Sequence, residues 1–306
     1  MLLQKINGIM LMWLFMITGA YGQRLHPEKP LEVIHFHFNG SQILIPLTIN
    51  HGKDTLHFLF DSGCEINLLS LPVAGRMGLN GGTDAGLSGW SNEMTYMPQT
   101  QTNSLNIGKI SIPDPEFYLE SLAGATMDGI PVDGVIGYDL LKRYIVKIDF
   151  ENKEMSLYPG GKFHYPPGGE LLKLGMNYRT PTVQGTLVNN QGQPFTSTYH
   201  LITGGNFGLL LNGKFVEKYA LDKTLTITGK VTRHDLLQPI TYTECIAPSF
   251  NAGNYKLYQL PALYSSKVND TAPDKEIAGA IGAEVWKHFT MIINLPEKEL
   301  WLAKNK

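Results

Sequence analysis

Short runs of alternating apolar and polar residues, separated by turn residues, fill the first part of the chain. The segments VIHFHF (33–38), ILIPLTIN (43–50) and TLHFLF (55–60) are rich in β-branched and aromatic residues. The polar and glycine residues between them, NG (39–40) and HGK (51–53), favour tight hairpins. The pattern therefore predicts antiparallel β-strands joined by short turns.

The same pattern continues beyond residue 100 and adds a few short helices. Residues 105–114 (LNIGKISIPD) predict another hairpin, and residues 133–150 (DGVIGYDLLKRYIVKIDF) contain an apolar pair between two glycines. Such glycines let a strand pass close beside another backbone, and residues 138–143 then predict a short helix before a further hairpin. We therefore expect an all-β fold with short helices.

The segment FLFDSG (58–63) contains an apolar run that leads into an acid, a small hydroxyl residue and a glycine. This order predicts a buried strand that turns sharply and holds the Asp61 carboxylate at its end. Ser62 can donate a hydroxyl hydrogen bond there, and Gly63 permits close approach of another backbone. A buried carboxylate must be hydrogen-bonded or functional, but Asp-Ser-Gly is also a common loop sequence. The tripeptide by itself leaves open both a functional acid and a turn-capping acid.

A glycine-rich region over residues 78–89 precedes the sequence WSNEMTYM (90–97). Aromatic side chains such as Trp90 and Tyr96 on a hairpin are what a flap that covers a substrate would need. An ordinary surface hairpin fits the same residues. Both interpretations stay open on this segment alone.

Composition and charge describe an ordinary globular protein. Of the 306 residues, 43% are apolar and 17% are charged, and the formal net charge is −2. This balance provides no electrostatic basis for binding nucleic acid or an anionic membrane surface. There is no Cys/His cluster to indicate a metal, and we expect no metal ion and no cofactor. The only two cysteines, Cys64 and Cys245, cannot form a disulfide framework, and we expect them to be unbridged.

Residues 1–22 have the features of a secretory signal. Lys5 precedes an apolar run over residues 9–17, and AYG (20–22) places small residues where a signal peptidase cleaves. The run is too short for a comfortable membrane span. We therefore expect cleavage before Gln23 and an exported protein, periplasmic or secreted, with no membrane span after cleavage. An uncleaved anchor is the alternative.

Several of these segments together resemble one domain of a known family. FDSG (60–63), the glycine-rich flap region, GVIG followed by an Asp-Leu pair (134–140), and IDF before a final hairpin (148–150) occur in the order found in retropepsin-like aspartic proteases. The resemblance covers about residues 31–160. It is more specific than Asp-Ser-Gly alone, because the order and spacing of all the pieces must agree.

The resemblance implies a peptidase that hydrolyses peptide bonds in a peptide or protein substrate. In such a peptidase, Asp61 would activate the water molecule that attacks the peptide bond. Ser62 and Gly63 would complete the catalytic turn. Trp90 and Tyr96 would contact the substrate from the flap. A single chain of this kind is expected to be a monomer.

The second half of the chain repeats the first. Residues 278–303 align with residues 133–158 at an offset of 279 − 134 = 145, and across residues 134–158 eight of 25 positions are identical. Residues 181–205 likewise retrace the strands that lead into Asp61. Two copies of one β-barrel unit in a chain resemble the pepsin-like arrangement, in which two lobes face each other across a cleft.

The repeat divides the chain into predicted parts. They are the signal peptide (1–22), a first lobe (31–160), a linker (161–174) and a second lobe (175–305). The linker contains PPGG, which is a natural boundary between compact units.

The repeat also exposes a departure from the family. Aligning FLFDSG with HLITGG places Thr203 opposite Asp61 and Gly205 opposite Gly63. The second acid is then missing, and Thr203→Asp is predicted to restore it. Aspartic proteases need two neighbouring carboxylates, since one keeps its proton while the other activates water.

Two hypotheses follow from the missing acid. The chain is either an aspartic-type peptidase that uses Asp61 with help from an unidentified group, or a catalytically inactive pseudoprotease that binds peptides in the same cleft. Trp90, Tyr96 and Gly205 are the candidate substrate-binding residues in both.

Overall fold

A computed structural model describes residues 29–88, 94–234, 239–268 and 277–305. Most of these residues form β-strands, and the helices among them have only four to six residues. The all-β prediction with short helices is therefore confirmed. The predicted signal segment and the candidate Trp90 lie outside the described residues.

The first half of the molecule, residues 29–160, contains fifteen strands and two helices among the described residues. In chain order these are β1 (Glu32–His35), β2 (His37–Phe38), β3 (Ile43–Ile49), β4 (Leu56–Phe60), β5 (Leu68–Ser70), α1 (Leu71–Arg76), β6 (Asp84–Ser88), β7 (Met94–Gln101), β8 (Ser104–Ile107), β9 (Ile110–Pro113), β10 (Glu116–Glu120), β11 (Thr126–Met127), β12 (Ile130–Pro131), β13 (Gly134–Ile136), α2 (Tyr138–Leu141), β14 (Tyr144–Asp149) and β15 (Glu154–Pro159).

The second half, residues 161–305, contains eleven strands and three helices among the described residues. They are β16 (Glu170–Lys173), β17 (Gly175–Asn177), β18 (Thr180–Val188), β19 (Pro194–Leu201), β20 (Leu209–Asn212), α3 (Gly213–Lys218), α4 (Leu221–Thr224), β21 (Thr226–His234), β22 (Pro239–Ala252), β23 (Tyr255–Ser265), β24 (Ile277–Ile281), α5 (Ala283–Trp286), β25 (Phe289–Asn294) and β26 (Glu299–Lys304).

Each half has a large sheet of its own. The first is ten-stranded, in the order β6-β7-β10-β5-β13-β4-β3-β8-β9 with β2 paired to β3, and the second is eight-stranded, in the order β17-β18-β19-β24-β20-β23-β22-β21. β11 and β12 form a separate hairpin. The division into two lobes with a linker at 161–174 stays a prediction.

A third sheet contains strands from both halves. Its order is β1-β15-β14-β25-β26-β16, and at its centre Val146 of β14 lies opposite Ile293 of β25 in an antiparallel pair. The alternating burial of apolar residues explains why these segments form strands, as in β4, where Leu56, Phe58 and Phe60 are buried. The halves are thus joined by backbone hydrogen bonds as well as by side-chain packing.

Two parallel strand pairs position the turns at the centre of the molecule. β13 runs parallel to β4 and places Ile136 opposite Phe60. β24 runs parallel to β19 and places Ile281 opposite Leu201. β4 therefore ends beside β13, which is followed by Gly137, and β19 ends beside β24, which is followed by Gly282.

None of the helices in the described ranges is long and apolar enough to cross a membrane.

Candidate functional site

Asp61 lies at the first turn, directly after β4 ends at Phe60. Its N–H donates to Ile136 O at 2.9 Å, and its carbonyl oxygen accepts from Cys64 N–H at 3.0 Å. A Cβ on Gly137 would lie 2.0 Å from Asp61 O, so only glycine fits beside this turn. The last glycine of GVIG therefore lets this segment pack against the Asp-Ser-Gly turn, which explains why the two occur together in the sequence.

Ser62 and Thr203 bind each other across the two halves. Ser62 N–H donates to Thr203 Oγ1 at 2.9 Å, and Thr203 N–H donates to Ser62 Oγ at 3.0 Å. The Ser62 hydroxyl then donates to Leu201 O at 2.7 Å, and the Thr203 hydroxyl to Phe60 O at 3.4 Å. Both side chains are fully buried, so the four bonds form a closed reciprocal network that holds the two turns together.

This network shows that Thr203 is the counterpart of Ser62 and not of Asp61. The Ser62 hydroxyl binds the carbonyl of Leu201, which lies two residues before Thr203. The Thr203 hydroxyl binds the carbonyl of Phe60, which lies two residues before Ser62. Phe60 therefore corresponds to Leu201. Asp61 then corresponds to Ile202, because Asp61 N–H donates to Ile136 O and Ile202 N–H to Ile281 O at 3.0 Å.

The predicted alignment, with Thr203 opposite Asp61 and Gly205 opposite Gly63, is therefore wrong by one residue. The second turn has two consecutive glycines, Gly204 and Gly205, and the alignment matched the later one. Aligning the two hydroxyl residues, Asp-Ser-Gly with Ile-Thr-Gly, was the sequence signal that would have identified Ile202. The residue that corresponds to Asp61 in the second turn is therefore the apolar Ile202.

The two glycines that follow the hydroxyl residues allow the halves to approach closely. A Cβ on Gly204 would lie 2.6 Å from both Cβ and Cγ of Asp61, and a Cβ on Gly63 would lie 2.1 Å from Ile202 Cδ1. Gly63 corresponds to Gly204. Gly63 lies against the Ile202 side chain, and Gly204 lies against the Asp61 side chain. The side chains of Asp61 and Ile202 thus lie in equivalent places around the centre.

One oxygen of the Asp61 carboxyl group is held by the backbone of both halves. Oδ1 accepts from Gly63 N–H at 2.8 Å and from Gly204 N–H at 3.1 Å. Burial raises the pKa of Asp61 above its ordinary value, while the N–H groups of Gly63, Gly204 and Thr203 oppose that rise. Desolvation is the largest cause, and no cation in the described part of the chain counteracts it.

The second half surrounds Ile202 with apolar residues. Its side chain is 4% exposed and belongs to a cluster that also contains Leu210, Ile240, Tyr242, Leu263, Val268 and Ala280. Ile240 and Tyr242 come from β22, so the β21–β22 hairpin packs against the second turn. Arg233 of β21 also donates to Asn206 O, four residues after Ile202.

The hairpin predicted as a flap exists in the first half. β6 and β7 are antiparallel, with Ser88 opposite Met94 and Gly86 opposite Tyr96. Trp90 falls in the stretch outside the described residues, whereas Tyr96 is 70% exposed. Tyr96 is therefore free to contact a ligand, and its assignment as a substrate-binding residue stays a prediction.

Gly205 has a structural role at the second turn. Its carbonyl oxygen accepts from Ala283 N–H at 2.9 Å, as Cys64 O accepts from Tyr138 N–H at 3.0 Å in the first half. A Cβ on Gly205 would lie 2.5 Å from the Phe207 ring. Gly205 is thus the counterpart of Cys64, and its carbonyl oxygen bonds the second turn to the segment after β24.

Two further residues that the sequence did not single out join the halves at these turns. Gln42 Nε2 donates to Gly204 O at 3.2 Å, and the Thr180 hydroxyl donates to Glu65 Oε1 at 3.0 Å and lies 3.5 Å from Gly63 O. Nothing in the local sequence of Gln42 or Thr180 indicates these contacts, because their partners are more than 110 residues away.

Both cysteines are unbridged, as predicted. The Cys64 thiol donates to Ile66 O at 2.8 Å, and burial, followed by the charge of Asp61, raises the pKa of Cys64 to about 12. A thiol with so high a pKa is not an activated nucleophile. Among the described residues, no three His, Cys, Asp or Glu side chains are grouped so that they could hold a metal ion.

Comparison with known proteins agrees with this site. Residues 45–140 match the model of the aspartyl protease family, a segment that contains Asp61, the β6–β7 hairpin and GVIG. The match supports an aspartic protease family for the chain and covers less than half of its length. No curated protein matches the chain significantly.

Proposed function

We propose that this peptidase-family protein binds extended peptides in a cleft between two lobes and does not hydrolyse them by the two-carboxylate mechanism. The observation that supports this proposal is the position of Ile202, which occupies the place equivalent to Asp61. An isoleucine can neither accept a proton nor hold a water molecule.

The two-carboxylate mechanism requires that one acid be protonated and the other ionised at the same time. Neighbouring carboxylates achieve this because the two negative charges repel each other, which separates their pKa values. Asp61 has no carboxylate at the equivalent position of the second turn, where Ile202 lies. One carboxyl group can be the acid or the base, but not both in the same step.

The remaining architecture supports binding. The reciprocal Ser62–Thr203 network and the two glycine approaches hold both turns as rigid backbone at the bottom of the proposed cleft. The β6–β7 hairpin of the first half carries the exposed Tyr96. An extended peptide can be held between such elements by main-chain hydrogen bonds, with side chains providing specificity.

The deciding experiment restores the second acid at the position that the hydrogen bonds identify. Purified wild type, Ile202→Asp and the matched neutral control Ile202→Asn are assayed at pH 3–6 with a mixture of fluorogenic peptides. We expect no turnover by wild type or Ile202→Asn, and turnover by Ile202→Asp that disappears in the double variant Ile202→Asp/Asp61→Asn. Thr203→Asp is expected to gain nothing, because it removes a hydroxyl of the reciprocal network.

A second function, hydrolysis by Asp61 alone, is favoured by one observation. Two backbone donors on Oδ1 fix the orientation of the Asp61 carboxyl group, and burial raises its pKa, as a general acid requires. Wild-type turnover that is abolished by Asp61→Asn and unaffected by Ile202→Asn would establish this function and contradict the binding proposal.

We further propose that the protein is exported and monomeric. The apolar run at residues 9–17 after Lys5 supports cleavage of a signal peptide, and a sheet shared by both halves supports a self-contained single chain. Amino-terminal sequencing of protein from the culture medium or periplasm should find Gln23, and light scattering should give the mass of one chain.

A further inference from the structure

A polar pocket lies in the first half at its junction with the second half. Residues 65–67, which follow the first turn, line it, and Arg179 of the β17–β18 turn is the lining residue from the second half. Its volume is about 240 Å³. Pockets for drug-sized ligands hold about 300–1,000 Å³, so this one suits a molecule the size of one amino acid. Asp61, Ile202 and Tyr96 do not line this pocket.

Charged side chains dominate the lining of the pocket. Of its ten lining residues, four are acidic and three are basic, which leaves a formal net charge of −1, and Ile66 alone has an entirely apolar side chain. An apolar ligand is excluded, because it would remove water from these charges without replacing the lost hydrogen bonds. The lining favours a ligand with charges of both signs and a net positive charge.

Some of these charges are already bound within the protein. Asp139 accepts from Asn67 Nδ2 at 2.7 Å and forms an ion pair with Lys142. Glu65 accepts from the Thr180 hydroxyl at 3.0 Å, which joins the two halves beside the pocket. These bonds fix the walls of the pocket before a ligand binds, so that binding orders few additional side chains.

Two arginines and two acids of the lining have no opposite charge in the described part of the chain. Arg143 and Arg179 form no ion pair with a carboxylate there. Asp114 and Glu116 form none with a cation. The buried Asn67 Oδ1 also has no donor within these residues. The pocket therefore offers guanidinium groups to a carboxylate, and carboxylates to a cation.

Two of these four charged residues are held in position by neighbours. The guanidinium carbon of Arg179 lies 5.6 Å from the centroid of the Tyr138 ring. The backbone of Glu116 is fixed by its carbonyl oxygen, which accepts from Asn67 Nδ2 at 3.0 Å. One residue of each sign is thus anchored at the pocket.

We propose that this pocket binds a free basic amino acid, arginine or lysine. The guanidinium groups of Arg143 and Arg179 hold its α-carboxylate, and Asp114 and Glu116 face its two cationic groups. The net positive charge of such an amino acid complements the net negative charge of the lining. This inference goes beyond the proposed peptide-binding function and does not depend on it.

The first test titrates wild type with arginine and matched analogues, followed by the NMR signals of the backbone amides. Citrulline replaces the guanidinium with a neutral group of similar shape, and agmatine lacks the carboxylate. Each loses charge-assisted hydrogen bonds, so we expect each to bind at least about tenfold more weakly than arginine. The dipeptide Gly-Arg should be weakened as much, because its α-ammonium is replaced by a peptide bond. The signals of residues 65–67 should shift.

Variants of the pocket assign its contacts. Arg143→Gln should weaken arginine binding about tenfold and leave agmatine binding unchanged, since agmatine has no carboxylate. Glu116→Gln should weaken both about tenfold, since both keep two cationic groups. Arg76→Gln and Glu151→Gln make the same charge changes on exposed residues outside the pocket and should bind like wild type. Thermal denaturation verifies that the variants, all at exposed positions, are folded.

Four results would overturn the proposal. They are no shift of the signals of residues 65–67 at millimolar arginine, citrulline or agmatine binding as tightly as arginine, pocket variants that bind like wild type, and equal weakening by the control variants. Gly-Arg binding as tightly as arginine would assign the pocket to the carboxyl end of a peptide instead of a free amino acid. The arms with citrulline and agmatine use wild type alone, so they decide the question even if a variant fails to fold.

Discussion

The turn at residues 60–63 and the turn at residues 201–204 have the same backbone framework and opposite side-chain chemistry. Each contributes a buried hydroxyl group that binds the carbonyl oxygen of the opposite half, and each is followed by a glycine that touches the opposite side chain. Their glycine N–H groups both donate to Asp61, because Ile202 offers no acceptor. The framework is therefore maintained by backbone and hydroxyl groups and does not depend on two acids.

The hairpins that accompany the two turns differ in the same sense. In the second half, Ile240 and Tyr242 of the β21–β22 hairpin are buried in the same apolar cluster as Ile202. In the first half, Tyr96 of the β6–β7 hairpin is mostly exposed. The turn that carries Asp61 is thus accompanied by an exposed hairpin residue, whereas the turn that carries Ile202 is part of an apolar cluster.

The largest expected difference between the halves concerns the two glycines. In Gly204→Ala the new methyl group meets Asp61 Cβ and Cγ, which are fixed by the adjoining backbone, whereas in Gly63→Ala it meets the movable end of Ile202. We expect Gly204→Ala to lower the free energy of unfolding by about 3 kcal/mol and Gly63→Ala by about 1 kcal/mol. Urea denaturation measures both. Equal costs would show that Ile202 is as rigidly held as Asp61.

Removing either hydroxyl group should cost about the same stability, in contrast to the two glycine substitutions. Ser62→Ala and Thr203→Val each leave a buried N–H and a buried carbonyl without the hydroxyl partner, and each is expected to cost about 2 kcal/mol. The double variant should cost less than the sum, since both changes remove the same network.

A matched control for these hydroxyl variants is Thr196→Ala, which removes a surface hydroxyl bond to Thr186 and should cost less than about 0.5 kcal/mol. Additive costs in the double variant would mean that the hydroxyls act independently.

One aromatic position in the strands that lead into the two turns carries a hydroxyl group in the second half only. Phe58 lies opposite Gly134 and Tyr199 opposite Gly279, so the two aromatic residues are counterparts. Both are fully buried, and the Tyr199 hydroxyl has no hydrogen-bond partner among the described residues. We expect Tyr199→Phe to raise the unfolding free energy by about 1 kcal/mol. Thermal denaturation checks this, and a loss of stability would reveal a partner for the hydroxyl.

The smallest effect is the contribution of Asp61 to the pH dependence of stability. Its pKa is higher in the folded protein than its ordinary value of 3.8, so the unfolding free energy falls as pH rises from that value through the folded pKa. Asn carries no charge, and Asp61→Asn should therefore be more stable than wild type at pH 7–8. Thermal melting at several pH values should show the gain shrinking towards pH 4; a gain that grew as the pH fell would contradict a raised pKa.

Local patterns were sufficient to predict several elements of the first half. The alternation in residues 55–60 predicted β4, and the apolar-to-acid transition at Phe60–Asp61 predicted a carboxyl group held at a turn. The glycines of GVIG predicted a close approach, which occurs between Gly137 and Asp61 O. These features could be recognised because the causes, alternation and the small size of glycine, lie in adjacent residues.

The identity of the residue opposite Asp61 was decided only by the tertiary structure. In the sequence, two consecutive glycines permit two alignments of the second turn that differ by one residue, one that matches the hydroxyl residues and one that matches the later glycine. Hydrogen bonds between groups about 140 residues apart select one of them, with Ser62 bound to Thr203 and Ile202 beside the acid. Because neighbouring residues at a strand end face opposite ways, that single step decides whether the position equivalent to Asp61 carries a hydroxyl group or a buried apolar side chain.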